Sequence, residues 1–304
     1  MKDVAVIIIN YNSSKYTLEC IDKVITETSE GISYQIIVID NNSVLAEYKI
    51  LKENFPKQDN IILHRSNINT GFGGGNMQGV QFANAKYLLF LNNDAMLMND
   101  CLSILYNYME QHPEVGVCTA QNYDEHENFV PSFDHNKGFR RLLFGRGFLE
   151  KNNPDRYPER KKQYIEPVEA DWVNGAFLFF SSEAFAKVGG FDTHIFLYWE
   201  EMDICNRLRK QNYRSILVPK AKVMHHQGVS IGVSKSINKE SYISYLYVIR
   251  KHYGYLKYVL IRKYLALVFL LKPKKWYLLP TVTKSNSQAE SLKHQQQITF
   301  IDEN

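Results

Sequence analysis

Short apolar runs that end at polar residues are the main pattern along the first part of the chain. These runs lie at 4–9, 35–39, 61–63, 87–91 and 115–119. Between several of them, apolar residues recur at helical spacing, as at Leu18, Ile21, Val24 and Ile25. Strands that alternate with helices predict an α/β fold with a mostly parallel sheet and right-handed crossovers. We therefore expect a Rossmann-like sheet flanked by helices.

The pattern changes in the middle of the chain. Residues 122–166 are rich in polar and charged side chains without sustained periodicity, and such a long irregular segment is usually functional or mobile. Regular elements resume with strand-like runs at 172–180, 214–218 and 222–225, and with helices at about 181–188 and 199–211. The predicted core therefore continues on both sides of the irregular segment.

Residues 240–279 interleave Tyr, Leu, Ile and Val with Lys and Arg. The longest uncharged apolar run there, Tyr264 to Leu271, is far shorter than the roughly 20 residues that span a bilayer. Two interpretations stay open: amphipathic helices on a membrane surface, or a helical extension packed on the domain or on a second subunit. From residue 284 the chain is polar and Gln-rich, and we expect disorder.

Composition narrows the class of protein only a little. The chain has 304 residues with a net charge of +4, which is too weak a bias to indicate nucleic-acid binding. Its four cysteines show no CxxC spacing, so we expect reduced thiols rather than disulfides or a zinc site. Met1 leads directly into a strand-like run, from which we expect no signal peptide and a cytoplasmic location.

The first two predicted strands end at Asn10-Tyr11-Asn12 and at Asp40. Ligands of open α/β sheets bind outside the carboxyl ends of the strands. Tyr11 could stack on a flat base there, and Asp40 could accept a hydrogen bond from a ring N–H. The alternative is that Asp40 begins an ordinary turn or caps a helix.

A glycine-rich stretch runs from Asn69 through Gly71, Gly73 and Gly74 to Asn76. We expect a turn there, followed by a helix at 76–85. Such turns bring backbone N–H groups close to phosphate or sugar oxygens. The alternative is a loop that needs positive φ. A dinucleotide fingerprint belongs after the first strand, which carries no glycine here.

The apolar run at 87–91 stops at Asn92-Asn93-Asp94. Mg²⁺ and Mn²⁺ prefer oxygen ligands and often take only one or two carboxylates together with substrate phosphates. Asp94 is therefore a candidate ligand, and His225 or His226 at a later strand end is a candidate partner. The alternatives are a turn or helix cap at Asp94 and an ordinary surface histidine pair.

Three carboxylates crowd the start of the helix at 199–211, namely Glu200, Glu201 and Asp203. A carboxylate can act as a general base that removes a proton from an attacking hydroxyl. The alternative is structural, because acids favour a helix N-terminus and Asp203 can pair with Arg207 at i+4 spacing.

Taken in order, these segments resemble an inverting family-2 glycosyltransferase with the A-type nucleotide-sugar fold, and within it the rhamnosyltransferase-like branch. The matching stretches, which cover roughly residues 4 to 230, are VAVIIINYNSS, IIVIDNNS, NTGFGGGNMQG, YLLFLNNDAML, WVNGAFLFFSSEAFAKVGGFD, FLYWEEMDICNRLRKQNYR and VMHHQGVS. Together with the composition of the C-terminal part, the resemblance leads us to expect a catalytic domain at 1–232, a helical, basic and aromatic extension at 233–283 and a disordered tail at 284–304.

The resemblance also implies roles for matched residues. The nucleotide-sugar set is Asn10, Tyr11, Asn12, Asp40, Asn69, Gly71, Gly73, Gly74, Asn76, Asn92, Asn93 and Arg207. Asp94 matches the metal-binding acid of the Asp-x-Asp motif, and His225 matches the histidine that completes the metal site, with His226 as the alternative. Glu201 stands where the family usually has its Asp base, with Glu200 as a rival and Asp203 farther along the helix. The first position of the Asp-x-Asp motif, which is an acid in the family, is occupied by Asn92 in this chain.

The implied reaction is a direct displacement with inversion that uses a divalent cation, Mn²⁺ or Mg²⁺. The donor is a nucleoside-diphosphate sugar, with rhamnose as the candidate sugar, and the acceptor is a saccharide or lipid-linked saccharide of a surface polysaccharide. Segments 122–166 and 171–180 are expected to shape acceptor choice. Peripheral contact with the inner face of the cell membrane and a homo-oligomer are compatible, whereas nucleic acid is not expected. A nicotinamide-dependent oxidoreductase and a non-catalytic carbohydrate-binding protein are the alternatives.

Overall fold

The computed structural model of the protein describes residues 1–226, 234–284 and 286–300. The strands are β1 (Lys2–Asn10), β2 (Tyr34–Asp40), β3 (Ile61–Arg65), β4 (Ala85–Asn92), β5 (Ala95–Leu97), β6 (Val115–Tyr123), β7 (Phe129–Val130), β8 (Phe133–Asp134), β9 (Val168–Glu169), β10 (Trp172–Val173), β11 (Phe177–Ser181) and β12 (Arg214–His225). The α-helices are α1 (Ser14–Glu27), α2 (Leu45–Glu53), α3 (Gly71–Val80), α4 (Cys101–Gln111), α5 (Phe139–Phe144), α6 (Arg146–Asn152), α7 (Ser182–Lys187), α8 (Glu200–Lys210), α9 (Lys235–Leu270) and α10 (Leu279–Thr283).

The main sheet has the strand order β3-β2-β1-β4-β11-β6-β12-β5. β1, β2, β3 and β4 are mutually parallel, and β6 and β12 form a second parallel pair. β11 lies antiparallel between β4 and β6, and β5 is antiparallel to β12. The predicted α/β class is confirmed. The sheet is mixed. The continuous apolar run of β11 predicted a buried strand, but such a run does not indicate the direction of the strand.

Both faces of the sheet are buried, which explains the continuous apolar runs of its central strands. Val4, Val6 and Ile8 of β1 join one cluster, together with Ile21 of α1. The alternate residues, such as Ile7, join a second cluster on the opposite face. A strand buried on both faces leaves no room for polar residues until it ends, so the first polar side chains appear at the edge of the sheet.

The strand register brings several of these ends together. Asn10 of β1 lies beside Asp40 of β2, and Ile9 lies beside Asn92 of β4. Because β11 runs antiparallel, its first residue, Phe177, pairs with Leu91 and reaches the same edge. The carboxyl ends of the parallel strands and the amino end of β11 therefore form one polar border, where ligands of such sheets bind.

The glycine-rich stretch differs from the prediction. It does not form a turn ahead of a helix at 76–85, since α3 begins at Gly71 and ends at Val80. The glycines serve close packing: a Cβ at Gly79 would come within 2.5 Å of Ile7 Cγ2, and one at Gly75 within 3.1 Å of Ile9 Cδ1. Sequence reasoning predicted a turn that approaches phosphate or sugar oxygens, or else a loop that needs positive φ, and did not foresee that these glycines let α3 lie directly on β1 and β2.

The irregular segment at 122–166 contains the short elements β7, β8, α5 and α6. β8 pairs with β10, so this segment is fixed against the strand that precedes β11. Asp134 at the end of β8 binds the Arg141 guanidinium at 2.9 Å and lies 3.6 Å from Arg160 Nε. Ion pairs and short elements therefore hold in place a stretch whose sequence shows no periodicity.

The C-terminal extension is mainly the long helix α9, in which Gly254 has φ 81° and ψ 168° and introduces a kink. No helix in the described ranges is long and apolar enough to cross a membrane. The proposed boundary at 232/233 and the end of the VMHHQGVS motif fall at residues 227–233, outside the described residues.

The tail differs from the disorder expected for it. Residues 287–290 and 292–295 form 3₁₀ helices. The carboxylate of Glu240, which is 1% exposed, accepts hydrogen bonds of 2.7 Å from the Ser291 hydroxyl and 2.7 Å from the Leu292 backbone N–H. The polar composition of the tail predicted disorder. Composition alone does not show that the Glu240 carboxylate on α9 is a buried acceptor for this segment.

Candidate active site

The ends of β1 and β2 are joined by a buried hydrogen-bond network. Asn10 and Asp40 are both 0% exposed. Asn10 Nδ2 donates to Asp40 Oδ1 at 2.7 Å and to Ser43 Oγ at 3.1 Å, while the Thr17 hydroxyl donates to Asn10 Oδ1 at 2.7 Å. These side chains therefore fix the border of the candidate nucleotide site from within the protein.

Asp40 has further partners of its own. Its Oδ2 accepts a 3.2 Å hydrogen bond from the Ser43 backbone N–H and lies 3.8 Å from Arg65 Nε. Tyr11 is half-buried and Asn12 is exposed, with φ 52°. Asn12 and Tyr11 are thus the more accessible members of this border. The contact of Asp40 with a nucleobase stays a prediction.

Asn41 connects this border to α3. Its Nδ2 donates to Asn69 Oδ1 at 3.0 Å and to the Gly71 carbonyl at 3.1 Å. Its Oδ1 accepts from the Thr70 backbone N–H at 3.0 Å. Sequence reasoning missed Asn41 as a site residue, although its place directly after Asp40 at a strand end was the available signal.

The N-terminus of α3 lies against the loop that precedes α8. Gly71 has φ +74°, and a Cβ there would overlap the Phe196 carbonyl. The Phe72 backbone N–H donates to that carbonyl at 3.0 Å. Gly73 lies near the same region, since a Cβ there would be 3.8 Å from Glu200 Cγ. The predicted glycine-rich site and the predicted catalytic helix are therefore neighbours.

A cavity borders the outer side of α3. It has a volume of about 320 Å³ and is lined by Ile68, Asn69, Thr70, Gly74, Met77, Gln78, Gln81, Thr193 and Lys293. Asn69 and Gly74, which sequence analysis assigned to the donor, are among these residues. The ammonium of Lys293 donates to the Thr193 carbonyl at 2.7 Å, so the C-terminal segment forms part of the wall. Asn76 faces inward, where its amide donates to the Phe72 carbonyl at 3.0 Å.

Beyond β4, the three polar residues have separate positions. The Asn92 backbone N–H donates to the Ala176 carbonyl at 3.0 Å. Asn93 Nδ2 donates to the Ser13 hydroxyl at 2.6 Å and to the Thr17 hydroxyl at 2.9 Å. Asn93 thereby extends the network of Asn10 to the β4 end.

Asp94 and His225 form the pair that the sequence predicted. Asp94 is 4% exposed, and its Oδ1 lies 3.1 Å from His225 Nε2. The pair forms because β5, which follows Asp94 directly, lies antiparallel to the end of β12. The ring of His226 instead lies 5.5 Å from the Tyr16 ring, with its Nδ1 3.7 Å from Glu125 Oε2. The geometry favours His225 as the partner of Asp94.

One carboxylate and one imidazole make a sparse ligand set. The described residues contain no group of three or more His, Cys, Asp and Glu side chains that could hold a metal ion. The pair nevertheless fits a cation that takes its other ligands from substrate phosphates and water. An imidazole ligand suits Mn²⁺ better than Mg²⁺.

The carboxylates of Glu200 and Glu201 stand at the start of α8. Glu200 is 2% exposed, and its Oε1 has no hydrogen-bond partner among the described residues. Burial and the adjacent charge of Glu201 raise the pKa of Glu200 well above its ordinary value of 4.5. Burial also raises the pKa of Glu201, opposed by hydrogen bonds from backbone N–H groups including that of Gly175.

Gly175 places Glu201 at the sheet edge. A Cβ at Gly175 would overlap Glu201 Oε1, so only glycine allows the carboxylate this close approach. The next residue, Ala176, accepts the hydrogen bond from Asn92. A short chain of contacts therefore links Glu201 through Gly175 and Ala176 to the segment that carries Asp94. Sequence reasoning missed Gly175, which stands in the motif WVNGAF.

Asp203 has a different environment from these two glutamates. It is 0% exposed and lies 2.7 Å from the Arg207 guanidinium, 2.7 Å from His252 Nε2 and 2.8 Å from Lys251 Nζ. Burial alone would raise the pKa of Asp203, but the hydrogen bond from His252 and the charges of Arg207 and Lys251 lower it. The Arg207 guanidinium also donates to the Val188 carbonyl. Both residues therefore fix α8 to its neighbours.

Asn122 is a further polar side chain that sequence reasoning missed. It is 1% exposed, and neither its Oδ1 nor its Nδ2 has a partner among the described residues. It lies on β6 beside Val223, two residues before His225 on β12. The signal in the sequence is the polar pair Gln121-Asn122 at the end of an apolar run.

The mixed sheet with its flanking helices has the A-type glycosyltransferase fold. Among solved structures, the chain is similar to GalNAc-T7 crystallised with UDP, GalNAc and Mn²⁺, with a TM-score of 0.58 and 16% identity over 82% of this chain and 48% of that one. It is also similar to residues 1–349 of S. aureus TarS, with a TM-score of 0.55 and 13% identity over 94% of this chain and 77% of that one.

The sequence profile described as "Glycosyl transferase family 2" matches residues 5–181, more than half of the protein. The chain belongs to glycosyl transferase family 2, which confirms the predicted family and the prediction of an enzyme.

Two curated relatives are rhamnosyltransferases. Rhamnosyltransferase WbbL of Escherichia coli K12 is 26% identical over 234 residues, covering 73% of this chain and 83% of that protein. N-acetylglucosaminyl-diphospho-decaprenol L-rhamnosyltransferase of Mycobacterium tuberculosis is 32% identical over 99 residues, covering 31% of this chain and 32% of that protein. The match thus spans about a third of the M. tuberculosis enzyme. These relatives agree with the predicted rhamnosyltransferase-like branch.

Proposed function

We propose that this glycosyltransferase moves a sugar, with rhamnose as the candidate, from a nucleoside-diphosphate donor to a saccharide or lipid-linked saccharide during surface polysaccharide synthesis. One observation supports this most: the Asp94–His225 pair and the Glu201 carboxylate lie on the same sheet edge, joined through Gly175, Ala176 and Asn92. A site for the donor diphosphate beside a buried carboxylate has the parts that direct sugar transfer requires. The rhamnosyltransferase relatives support the choice of sugar.

In the proposed reaction, Glu201 removes the proton from the acceptor hydroxyl as its oxygen bonds to the anomeric carbon of the donor sugar. The bond from that carbon to the diphosphate breaks in the same displacement, so the configuration inverts and the nucleoside diphosphate leaves. The raised pKa of Glu201 suits a base, because it brings proton affinity closer to the working pH. Asp94 and His225 would hold a divalent cation, which stabilises the negative charge that develops on the leaving diphosphate.

The remaining site residues have supporting roles in this proposal. Asn10, Tyr11 and Asp40 border the nucleobase, and the N-terminus of α3 faces the ribose, diphosphate or donor sugar. Asp203 and Arg207 position α8 rather than take part in the chemistry, since both are engaged in buried contacts. We assign catalysis to residues 1–232 and the helical extension to 233–283.

A thermal-shift panel of UDP, TDP, GDP and NAD, each with and without Mn²⁺ or Mg²⁺, tests the donor and the metal together. A ligand that binds the folded state raises its apparent stability. We expect one nucleoside diphosphate to stabilise the protein only in the presence of metal. His225→Ala should abolish this metal dependence and His226→Ala, the matched control, should retain it. Stabilisation by NAD alone, or an equal response of both variants, would contradict the proposal.

We also propose that α9 contacts an anionic membrane. Leu256, Leu260 and Leu267 are 74%, 43% and 58% exposed, and their spacing places them on one face of the helix. Lys263 lies on the same face and is exposed, and Lys257 follows Leu256. An exposed apolar stripe with lysines among its members matches a surface of anionic lipid.

Flotation with vesicles tests this contact. The protein should float with vesicles that contain phosphatidylglycerol and stay behind with pure phosphatidylcholine. Replacing Leu256 and Leu267 by Ser should reduce the bound fraction severalfold. Leu45→Ser is the matched control, because Leu45 is 44% exposed on α2, away from the stripe. If the wild type is a dimer and the double variant has half its mass, this face binds a second subunit instead of a membrane.

A further inference from the structure

Residues 291–299, which we call the strap, run from α9 to the ends of β2 and β3. Their first contact is with the Glu240 carboxylate on α9, which is 1% exposed and accepts hydrogen bonds of 2.7 Å from the Ser291 hydroxyl and from the Leu292 backbone N–H. A buried carboxylate is unfavourable unless hydrogen bonds satisfy it, so Glu240 and the strap stabilise each other. This end of the strap is therefore firmly attached to α9.

The other end of the strap lies at the border predicted for the nucleobase. The Thr299 backbone N–H donates to the Asn67 carbonyl at 2.7 Å. The Asn42 amide donates to the Thr299 hydroxyl at 3.3 Å and to the Gln297 carbonyl at 3.4 Å. Asn42 stands two residues after Asp40, and Asn67 stands two residues after the end of β3, which pairs with β2. Thr299 thus reaches the strand ends where we expect the donor base.

Between its two ends, the strap forms part of the wall of the cavity beside α3. Lys293 lines this cavity together with Asn69 and Gly74, which belong to the predicted donor set. The Lys293 ammonium donates to the Thr193 carbonyl, in the loop that precedes α8, at 2.7 Å. The strap and α3 therefore enclose a space of about 320 Å³ whose walls include predicted donor residues.

The two ends of the strap differ in how firmly they are held. Ser291 is 1% exposed, whereas residues 297–299 are all exposed. The two bonds from Asn42, at 3.3 and 3.4 Å, are long for hydrogen bonds. Segments with few buried contacts and exposed hydrogen bonds open locally at low free energy. The Thr299 end can therefore open while Ser291 stays attached to α9.

α9 also connects the strap to the loop that precedes the candidate base. Ser241 follows Glu240, and its hydroxyl accepts from Trp199 Nε1 at 3.1 Å. One helical turn after Glu240, the Ser244 hydroxyl donates to the Leu197 carbonyl at 2.9 Å. The strap and the start of α8 are therefore attached to neighbouring residues of α9.

We propose that the strap closes over the nucleobase end of the donor site and opens at Thr299 when the nucleotide enters and leaves. This inference rests on the proposed function and makes Thr299 a positioning residue of the donor site. The bonds of Thr299 to Asn67 and Asn42 hold the closed state. Only these exposed contacts must break for opening, so they control the rate of nucleotide exchange.

A disulfide between Asn67→Cys and Thr299→Cys in the full-length protein tests the strap. The two backbones are hydrogen-bonded at 2.7 Å, so the two positions are near enough for a bridge. The four native cysteines are all buried and do not compete for it. UDP, TDP and GDP with a fluorescent label, each with Mn²⁺, are the probes. Stopped-flow fluorescence measures their association and release.

The order of addition separates closing from opening. Oxidation before the nucleotide is added should slow association at least about 10-fold, and oxidation afterwards should slow release to the same extent, because local opening is then blocked. Reductant should restore the wild-type rates in both cases. Thr299→Cys alone, treated in the same way, is the matched control and should exchange nucleotide like the wild type.

Thr299→Pro tests the same contacts without a disulfide. The substitution removes the N–H that binds Asn67 and the hydroxyl that binds Asn42, so nucleotide release should become about 3- to 10-fold faster. Ile298→Pro is the matched control, because the Ile298 N–H has no acceptor among the described residues. Its release rate should stay close to that of the wild type.

Several outcomes would overturn the strap. Wild-type exchange rates in the oxidised double variant or in Thr299→Pro would do so, and so would a disulfide that does not form. A disulfide that forms only without nucleotide would show that the segment obstructs the site instead of closing over a bound donor. Failure of all three nucleotides to bind the wild type would contradict the proposed function, on which the strap rests.

Discussion

The proposed donor side of the candidate site, at the ends of β1, β2 and β4, and the proposed acceptor side, around Glu200 and Glu201, are built in different ways. On the donor side, the polar side chains of Asn10, Asp40 and Asn41 all have hydrogen-bond partners within the protein. On the acceptor side, Glu200 Oε1 and Trp172 Nε1 are buried and have no hydrogen-bond partner among the described residues. The side chains at the ends of β1 and β2 are therefore fixed before any ligand binds, whereas Glu200, Trp172 and, near His225, Asn122 carry polar atoms that a ligand can satisfy.

This difference has a physical consequence. A buried polar group without a partner costs roughly 1–3 kcal/mol, so the acceptor side retains unfavourable groups that bound substrate can compensate. The donor side instead fixes dipoles and carboxylates at the strand ends, as electrostatic preorganisation requires. We therefore expect substitutions on the donor side to change stability and nucleotide affinity, and substitutions on the acceptor side to change turnover.

The largest effect is expected for Glu201→Gln. If Glu201 is the general base, its loss should reduce kcat by about 10²- to 10⁴-fold while nucleotide affinity changes little. Because the base acts in its ionised form, wild-type activity should rise with pH through the raised pKa of Glu201, above the ordinary 4.5. Steady-state kinetics across pH and a nucleotide titration measure both quantities.

Glu200→Gln is the matched control for this prediction. Burial and the charge of Glu201 raise the pKa of Glu200, which stabilises its neutral form relative to an ordinary glutamate, so a neutral isostere should cost little activity. Wild-type stability should fall as the pH rises through the raised pKa of Glu200, because the buried side chain must then ionise. Glu200→Gln should not show this fall. If Glu200→Gln abolishes transfer and Glu201→Gln does not, Glu200 is the general base and Glu201 is not.

The next effect concerns the contact that holds the acceptor side together. Asp203→Asn leaves Arg207, Lys251 and His252 without their buried carboxylate, and removal of one partner from such a network costs about 3–5 kcal/mol. The lowered pKa of Asp203 gives stability that is present above its ordinary 3.8 and is lost as pH falls through the native pKa.

The stability difference between the wild type and Asp203→Asn should therefore shrink as the pH falls below about 4. Urea unfolding at pH 7 and at pH 3 measures this difference. Asp192, which also pairs with Lys251, is unchanged in the variant and provides part of the remaining pH dependence. A pH-independent difference would mean that the shape of Asp203, and not its charge, stabilises α8.

Gly71→Ala tests the contact between the two sides. The substitution forces a side chain into φ +74° and against the Phe196 carbonyl, which should cost roughly 2–5 kcal/mol of unfolding free energy. Gly147→Ala is the matched control, since a Cβ there meets nothing within 4 Å and Gly147 lies inside α6. Chemical denaturation measures the unfolding free energy of both variants. Equal values would show that the contact between α3 and the loop before α8 does not contribute to stability.

The donor side could be predicted from sequence because each of its residues follows a recognisable strand. Asn10, Asp40 and Asp94 stand at the ends of apolar runs, and the parallel sheet brings such ends together. On the same basis His225 or His226 was predicted as the partner of Asp94, the family resemblance favoured His225, and the structure has Asp94 and His225 3.1 Å apart. Here the local pattern and the architecture give the same answer.

The acceptor side could not be predicted in this way. Trp199, Trp172 and Tyr245 come from a loop with positive φ, a short strand and a distant helix, and only tertiary packing unites them. The start of α3 was predicted wrongly for a related reason, because the close approach of its glycines to Ile7 and Ile9 depends on tertiary packing. Sequence patterns report which residues are buried, but not which distant residues meet.

The smallest effect is expected for Asn41→Ala. The substitution removes the amide that binds Asn69 and Thr70, so unfolding free energy should fall by about 1–3 kcal/mol. Because this amide also fixes the start of α3, nucleotide affinity should fall while kcat at saturating donor stays close to that of the wild type. Denaturation and nucleotide titration measure these two quantities.

Asn54→Ala is the control for Asn41→Ala. Asn54 also donates its amide to a backbone carbonyl, that of Ile50 at 2.9 Å, but it is exposed at the end of α2. Its substitution should change unfolding free energy by less than about 0.5 kcal/mol. If Asn41→Ala lowers stability without weakening nucleotide binding, the amide serves only packing. If it lowers kcat instead, the donor side is not organised in advance, and the contrast with the acceptor side fails.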